Sequence, residues 1–560
     1  MRMLIMTLIC AVAIQGAAQV PLTTPVSIQV DLAQSQGPYK PIYSWFGYDE
    51  SNYTTMKYGK QLLGELHDLS PVPVHIRAHH LLTSGNGVAE LKWSSSNVYT
   101  LDANGKPVYD FTITDQTFDE YKRAGVRPMV ELGFMPKDLA ATVPGVDVYQ
   151  VHYPANVITG ASNNPPKDYA AWGELIRKYT EHLVERYGKE QVSTWYFEVW
   201  NEPDIGYWHG TPAEYYKLYD YAVAGVRSAL PNALVGGPAS TGPGSQKSAS
   251  FLDNFLQHCL NDKSAADGKP VPLDFISFHP KGGPAVVDGH VRMGLAGELK
   301  ASAAGFRVVA KYPQYIHLPI ILSEADPEGC AACSMKVNPA NAYRNGPLYA
   351  TYTAAAIKAL LDLQDRSNVN LIGMLSWSFE FEGKDYFEGF RTLATNGIDK
   401  PVLNVFRMAA LMSGERVKTS STGQVPLDDI LDRGVRQAPD IDAIATKAEH
   451  QAAVMLWNYH DDDLPAENAV VQVTIAGIPA EVKKVLLEHY RIDDTHSNSY
   501  SVWKSMGSPQ TPTPEQYARL KEAGQLELLH SPEWLDVHDS KIRIDTNLPR
   551  QATSLTRLTW

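Results

Sequence analysis

Two glutamates, each placed where an apolar run stops, carry the chemistry that this sequence suggests. Trp195-Tyr196-Phe197-Glu198-Val199-Trp200 runs into Asn201-Glu202-Pro203, and His317-Leu318-Pro319-Ile320-Ile321-Leu322-Ser323 runs into Glu324, followed by Ala325-Asp326-Pro327. A parallel strand buried on both faces is apolar throughout, and Pro203 cannot donate to a continuing ladder. Both acids therefore fall at strand ends, where (β/α)8 barrels keep their catalytic groups. Glycoside hydrolysis in its usual form needs two carboxyls flanking the scissile bond. A single strand-terminal acid reads just as well as a solvated side chain; two of them point to a site.

Their neighbours divide the roles. Asn201 is placed to reach a sugar 2-hydroxyl, a contact that strengthens in an oxocarbenium-like transition state. Glu202 is the candidate acid, because apolar packing by Trp200, Phe197 and Tyr196 and the charge of a second carboxylate both raise a carboxyl's pKa. Glu324 is then the ionised nucleophile. His79 and His279 each follow a strand candidate, which favours the site over a core position for them. Glu131 and Glu198 lie within strands and are expected to support the site from behind. Trp208 is either packing or a platform under the departing sugar.

Eight short apolar runs are available to hold these groups: Ile42–Tyr48, Val72–Arg77, Arg127–Leu132, Trp195–Val199, Ala233–Gly236, Asp274–Phe278, Leu318–Ser323 and Leu371–Ser376. Helical patterns lie between them, at Thr54–Leu69, Lys167–Tyr187, Pro212–Leu230 and Gly346–Leu363. Within Lys167–Tyr187, Tyr169, Trp172, Leu175, Ile176, Tyr179, Leu183 and Tyr187 recur at intervals of three and four, the signature of one buried helix face. Strand–helix alternation over residues 42–412 predicts an α/β fold, a (β/α)8 TIM barrel with long loops. From residue 413 to 560 the runs Ala452–Tyr459, Val470–Ile475, Val485–Tyr490 and Lys541–Ile544 are punctuated by turn residues, as in a β-sandwich. Residues 19–41 contain an alternating stretch, Thr23–Leu32, expected to add a strand to that β-domain.

Composition narrows the class. A chain of 560 residues exceeds one hydrophobic core, and 44% hydrophobic with 20% charged residues describes a globular enzyme. A formal charge of −13 with no basic stripe excludes a nucleic-acid surface. The 11 Trp and 29 Tyr suit a partner that stacks on flat faces, as sugars do. Arg2, the apolar stretch Leu4–Ile14 and Gly16-Ala17-Ala18 form a signal-peptide pattern over residues 1–18. That pattern predicts a secreted or periplasmic protein with no membrane span in its mature form. Cys330-Ala331-Ala332-Cys333 lacks the second ligand pair of a zinc site and the surrounding fold of a redox pair. A small loop disulfide in an oxidising compartment is favoured, and no metal or cofactor is expected. Cys259 reads as an isolated buried thiol, and His489 with His496 as a surface or interface feature of the β-domain.

Several motifs together resemble family 39 of the glycoside hydrolases: Arg77-Ala78-His79-His80, Glu131-Leu132-Gly133-Phe134-Met135-Pro136, the Asn201-Glu202-Pro203 strand end, Asp274-Phe275-Ile276-Ser277-Phe278-His279 and Gly397-Ile398-Asp399-Lys400-Pro401. Asn498-Ser499-Tyr500 and Met506-Gly507-Ser508-Pro509-Gln510 extend the likeness into the β-domain. The resemblance implies a retaining, exo-acting mechanism on an oligosaccharide, with Glu202 as acid/base and Glu324 as nucleophile. It also implies that His79, Asn201 and His279 hold the terminal sugar. Glu324-Ala325-Asp326-Pro327, His279-Pro280-Lys281-Gly282 and Phe390-Arg391-Thr392-Leu393 are similar to segments of α-L-iduronidase, where the lysine and arginine face a sugar carboxylate. The longer run from Glu324 to Cys333 is similar to a secreted bacterial branch of β-xylosidases. The favoured substrate is therefore a terminal β-D-xylose of xylo-oligosaccharides, with a uronide, arabinoside or galactoside as alternatives. Under the xylosidase reading, Lys281 and Arg391 are expected to be occupied by nearby acids such as Glu382 or Asp385. A catalytically silent carbohydrate-binding protein is the remaining alternative, opposed by the intact pair Glu202 and Glu324.

Overall fold

The structure is a computed structural model that describes residues 25–149, 160–330, 332–377 and 379–560. The signal-peptide expectation falls on residues 1–18, outside the described residues. Eight parallel barrel strands follow the predicted order: Trp45–Tyr48, His75–Ala78, Arg127–Leu132, Tyr196–Val199, Leu234–Thr241, Phe275–His279, Pro319–Leu322 and an eighth in two pieces, Asn370–Met374 and Ser376–Trp377. The second piece closes the ring on the first strand, with Ser376 beside Phe46 and Trp377 beside Gly47. The barrel is tight there, since a Cβ on Gly47 would lie 2.8 Å from the Trp377 ring. The fifth strand runs on past Gly236, where the strand candidate Ala233–Gly236 ended, because Pro238 to Thr241 keep their pairing with the sixth strand through a register shift.

Period-two alternation sorts the strand residues. Phe46, Ile76, Val130, Phe197 and Ile276 face the surrounding helices in the main core. Trp45, Met129, Phe275, Ile321, Leu375 and Trp377 form a separate cluster, as residues that alternate with the helix-facing set do inside a barrel. The helices follow local signals. Tyr169–Tyr187 begins at Asp168, whose carboxylate accepts from the backbone of Ala170 and Ala171. Pro212–Ala229 begins with a capping box between Thr211 and Glu214 and has Pro212 in its first turn.

The second layer is an antiparallel β-sandwich built from residues 415–421 and 440–559, with the N-terminal strand Val26–Pro38 inserted in it. That strand runs antiparallel to Glu415–Ser421 and parallel to Ala469–Ala476, and its Val26, Ile28 and Val30 enter the sandwich core with Val454, Leu456, Val471 and Val473. Three helices interrupt the all-β pattern that the sequence suggested, Leu427–Arg433, Ser499–Ser505 and Pro514–Ala523. The last two start on a cap, Asn498 and Thr513 respectively, and all three are too short to show helical periodicity clearly. Trp503 and Leu520 pack on Phe387 and Ile398 of the barrel's last loops, and Ser499 donates to the carbonyl of Asp399. The β-domain thereby braces the segment that carries Arg391. His489 is not a surface residue as expected: it is buried beside Ser554. Among the described residues no helix is long and apolar enough to cross a membrane.

Candidate active site

Arg77, on the second strand, organises the mouth of the barrel. Its guanidinium, fully buried, pairs with Glu198 and Glu131, the latter at 2.8 Å, and reaches Oε1 of Glu324 at 3.4 Å. Nη2 also donates to Oδ1 of Asn201 at 3.1 Å. Burial disfavours a cation, and these acids outweigh that, so Arg77 stays charged. The strand-borne acids Glu131 and Glu198 thus act on the site through Arg77. Burial pushes Glu131 up to about 8, although His79 and Arg77 oppose the shift.

Glu202 and Glu324 meet as the strand ends predict. Each places a carboxyl oxygen, and His279 a ring nitrogen, within 4.8 Å of one another. Trp200 and Glu202 both adopt positive φ, 72° and 43°, a conformation that costs a non-glycine residue energy and clusters at functional sites. The bend is held by the Glu202 N–H donating to the Ala239 carbonyl at 2.8 Å and by Asp204 accepting from the backbone of Thr241.

The two carboxyls are driven in opposite directions. Burial, then the charge of Glu324, pushes Glu202 up to about 8. Burial works against Glu324 as well, but Lys281, then His279 and Arg391, with His79, outweigh it and hold Glu324 well below the usual carboxylate range. Lys281 Nζ lies 2.8 Å from Oε2 of Glu324 and 2.8 Å from Oδ1 of Asp326. Two neighbouring carboxyls whose surroundings separate their pKa values define an acid and a base or nucleophile.

Arg391 does not reach Glu382 or Asp385, the partners suggested from sequence. It grips Asp326 with two nitrogens, donates to the carbonyl of Gly329 at 2.9 Å and comes within 3.5 Å of Glu324. Glu382 accepts instead from the backbone of Tyr58, and Asp385 pairs with Lys336. Asp326 lies two residues past Glu324, so a local bend folds it back on both cations, which spacing along the chain could not reveal.

The remaining sequence-predicted residues divide. His79 has both nitrogens engaged, Nδ1 with Asp49 at 2.6 Å and Nε2 near Glu131 at 3.0 Å. Burial alone would lower its pKa; Glu131 and Asp49 raise it instead. Asn201 gives its oxygen to Arg77, and among the described residues its amide N–H2 has no partner, leaving it for a hydroxyl. Trp208 is 5% exposed, packs edge-on against Trp200 and donates to the Thr211 carbonyl. Of the two possibilities weighed for it, the structure gives packing. Trp377, not identified from sequence, lies beneath both Arg77 and Arg391 with its ring 5.3 and 5.5 Å from their guanidinium carbons. Cys330 and Cys333 are bridged, with Cα atoms 5.4 Å apart. Arg344 ties the same loop through Glu328 and the Cys333 carbonyl. Cys259 is a free, buried thiol. Glu202, His279 and Glu324 converge closely enough to ligate a cation, but Lys281 and Arg391 already supply positive charge to Glu324.

Opposed carboxyls of this kind at the mouth of a (β/α)8 barrel define a glycoside hydrolase. Residues 76–528 match glycosyl hydrolases family 39, and the chain belongs to that family. It is 29% identical over 465 residues to a β-xylosidase of Caldicellulosiruptor saccharolyticus, covering 80% of this chain and 83% of that protein. It is 27% identical over 384 residues to the α-L-iduronidase of Mus musculus, covering 62% of this chain and 56% of that protein. Among solved structures, a monomeric β-xylosidase from Caulobacter crescentus CB15 superposes with a TM-score of 0.73 at 21% identity, covering 95% of this chain and 99% of that one.

Proposed function

We propose that this glycoside hydrolase is a retaining exo-β-xylosidase, with Glu324 as nucleophile and Glu202 as acid/base. The observation that carries the reading is the approach of the two carboxyls, with an oxygen of each within 4.8 Å. Retaining enzymes hold their carboxyls about 5–5.5 Å apart, and inverting ones about 6.5–9.5 Å to admit a water between. In the first step an ionised Glu324 attacks C1 while Glu202 gives its proton to the departing oxygen. In the second, Glu202 takes a proton from water, whose oxygen displaces Glu324 from C1. Asn201 meets the 2-hydroxyl, and Arg77, with His79, holds Glu324 and Asn201 in place.

Xylose is favoured at the terminal position for two reasons. The β-xylosidase relative aligns over most of both chains. Lys281 and Arg391, the cations that a C5 carboxylate would need, are both taken up by Asp326. A uronide would have to draw them away from a buried, bidentate partner. A screen of aryl glycosides tests this: kcat/KM for the β-D-xyloside should exceed that for the α-L-iduronide by about a hundredfold or more. Arg391→Ala should lower turnover without changing which sugar is preferred. Faster turnover of the iduronide, lost selectively in Arg391→Ala, would overturn the choice of sugar and leave the catalytic pair intact.

Export belongs to the same proposal. The mature protein should begin close to Gln19, in the periplasm or the medium, and carry the Cys330–Cys333 bridge. Intact mass without reductant should show loss of the first 18 residues and no free thiol at Cys330 or Cys333; an uncleaved chain or two free thiols would refute it. Because the bridge closes so short a loop, removing it should cost little global stability.

A further inference from the structure

We propose that His279 is a positioning residue for the acid/base rather than a sugar ligand: a neutral imidazole, locked with its proton on Nε2 by Ser323 and Glu198, whose bare Nδ1 accepts the proton of the Glu202 carboxylic acid. The proposal rests on the reading of Glu202 as acid/base. Its geometry is a chain of contacts with one consistent direction. Glu198 is buried and ion-paired to Arg77, and a carboxylate only accepts. The Ser323 hydroxyl, 2.8 Å from Oε1 of Glu198, must therefore donate to it. With its single proton committed, the Ser323 oxygen accepts from Nε2 of His279 at 3.0 Å. A neutral imidazole that donates at Nε2 has a lone pair at Nδ1, and that nitrogen lies 3.0 Å from Oε1 of Glu202.

Neutrality of the ring has its own support. His279 is fully enclosed, and burial pushes its pKa down to about 3, with Glu324 opposing and Arg77 assisting the shift. An imidazole without charge and without a proton on Nδ1 makes a hydrogen bond to Glu202 only when Glu202 is protonated. The contact thus stabilises the acid form in addition to burial and the charge of Glu324. It also has a consequence for the catalytic cycle. When Glu202 has given its proton to the leaving oxygen, Nδ1 faces a carboxylate lone pair to lone pair. That contact is relieved when Glu202 takes the proton of the attacking water, as the bond from C1 to Glu324 breaks. His279 therefore keeps Glu202 protonated ahead of the first half and favours its taking a proton in the second, without itself gaining or losing a proton. The other charged groups around this pair are Glu324, whose Oε1 lies 3.6 Å from the same Nδ1, Lys281, which acts on both, Asp204 and His79 on the Glu202 side, and Arg77 and Glu198 around the ring.

Ser323 provides the test, because its fully buried hydroxyl links Nε2 of His279 to Glu198 and so sets the tautomer. In Ser323→Ala the ring is free to carry its proton on Nδ1 and donate to an ionised Glu202, which lowers the acid's pKa. Activity that needs the Glu202 proton is lost as pH rises through that pKa. The alkaline limb of kcat/KM for an aryl glycoside with a poor leaving group should then move down by about one pH unit. The loss at neutral pH should be far smaller for a dinitrophenyl glycoside, whose departure needs no proton, and Ser323→Thr, which keeps the hydroxyl, should restore the limb. An unmoved limb, or equal losses for both leaving groups, would overturn the proposal. Nitrogen-15 NMR of ring-labelled histidine in the wild-type protein reads the tautomer without turnover: a proton on Nε2 of His279 is expected, and one on Nδ1 would refute it. If no glycoside is hydrolysed at all, the function reading fails, and the NMR measurement still decides this one.

Discussion

Glu324→Ala should abolish turnover of every glycoside the enzyme accepts, activated or not, by about 10⁴-fold or more, because Glu324 is the group proposed to take the anomeric carbon. The size of the effect follows from the surroundings of the carboxylate. Lys281, Arg391 and Arg77 all lie within 3.5 Å of its oxygens, so it is both ionised and fixed in direction. Removing it leaves three cations around an uncharged cavity, and a small anion such as azide should enter that cavity and attack C1 of an activated substrate as its aglycone leaves, giving the glycosyl azide of inverted configuration. Steady-state rates with and without azide check this. Retention of more than a few per cent of wild-type activity would mean that another carboxylate is the nucleophile.

The second large effect depends on the leaving group. Glu202→Ala should lower kcat/KM for a natural xylo-oligosaccharide by about 10²–10⁴-fold, the usual worth of a positioned general acid. A dinitrophenyl xyloside should lose much less in its first step, since its leaving group departs without a proton. The second step should then become limiting, because water is no longer activated, and a burst of phenol should precede slow turnover. Pre-steady-state absorbance measures both phases. Equal loss in the two substrates, without a burst, would remove Glu202 from the role of acid/base.

Much of this site was legible in the sequence because strand ends announce themselves. An apolar run broken by Asn201-Glu202-Pro203, or one that stops at Glu324, fixes both a position on a barrel and a chemistry. The eight strands, the long helices and the place of the N-terminal strand in the β-domain followed from periodicity for the same reason. What escaped depends on contacts between segments far apart in the chain. Arg77 lies within a strand and looks like any interior residue until Glu131, Glu198 and Glu324 converge on it. Asp326 looks like a loop acid, yet its bend makes it the partner of both Lys281 and Arg391. His79 and His279 were rightly sought at the mouth of the barrel, but their nitrogens are turned to protein acids and hydroxyls rather than left open. The three short helices of the β-domain were missed because a helix of seven or ten residues shows too few repeats of its period.

Trapping the covalent intermediate tests the central claim most directly. A 2-deoxy-2-fluoro-β-xylosyl donor with a dinitrophenyl leaving group should inactivate the enzyme by slowing the second step more than the first, and peptide mass analysis should place one fluoroxylosyl group on Glu324. A label on any other residue would contradict the assignment of the nucleophile. Steady turnover of the donor with no labelled peptide would contradict the double displacement itself.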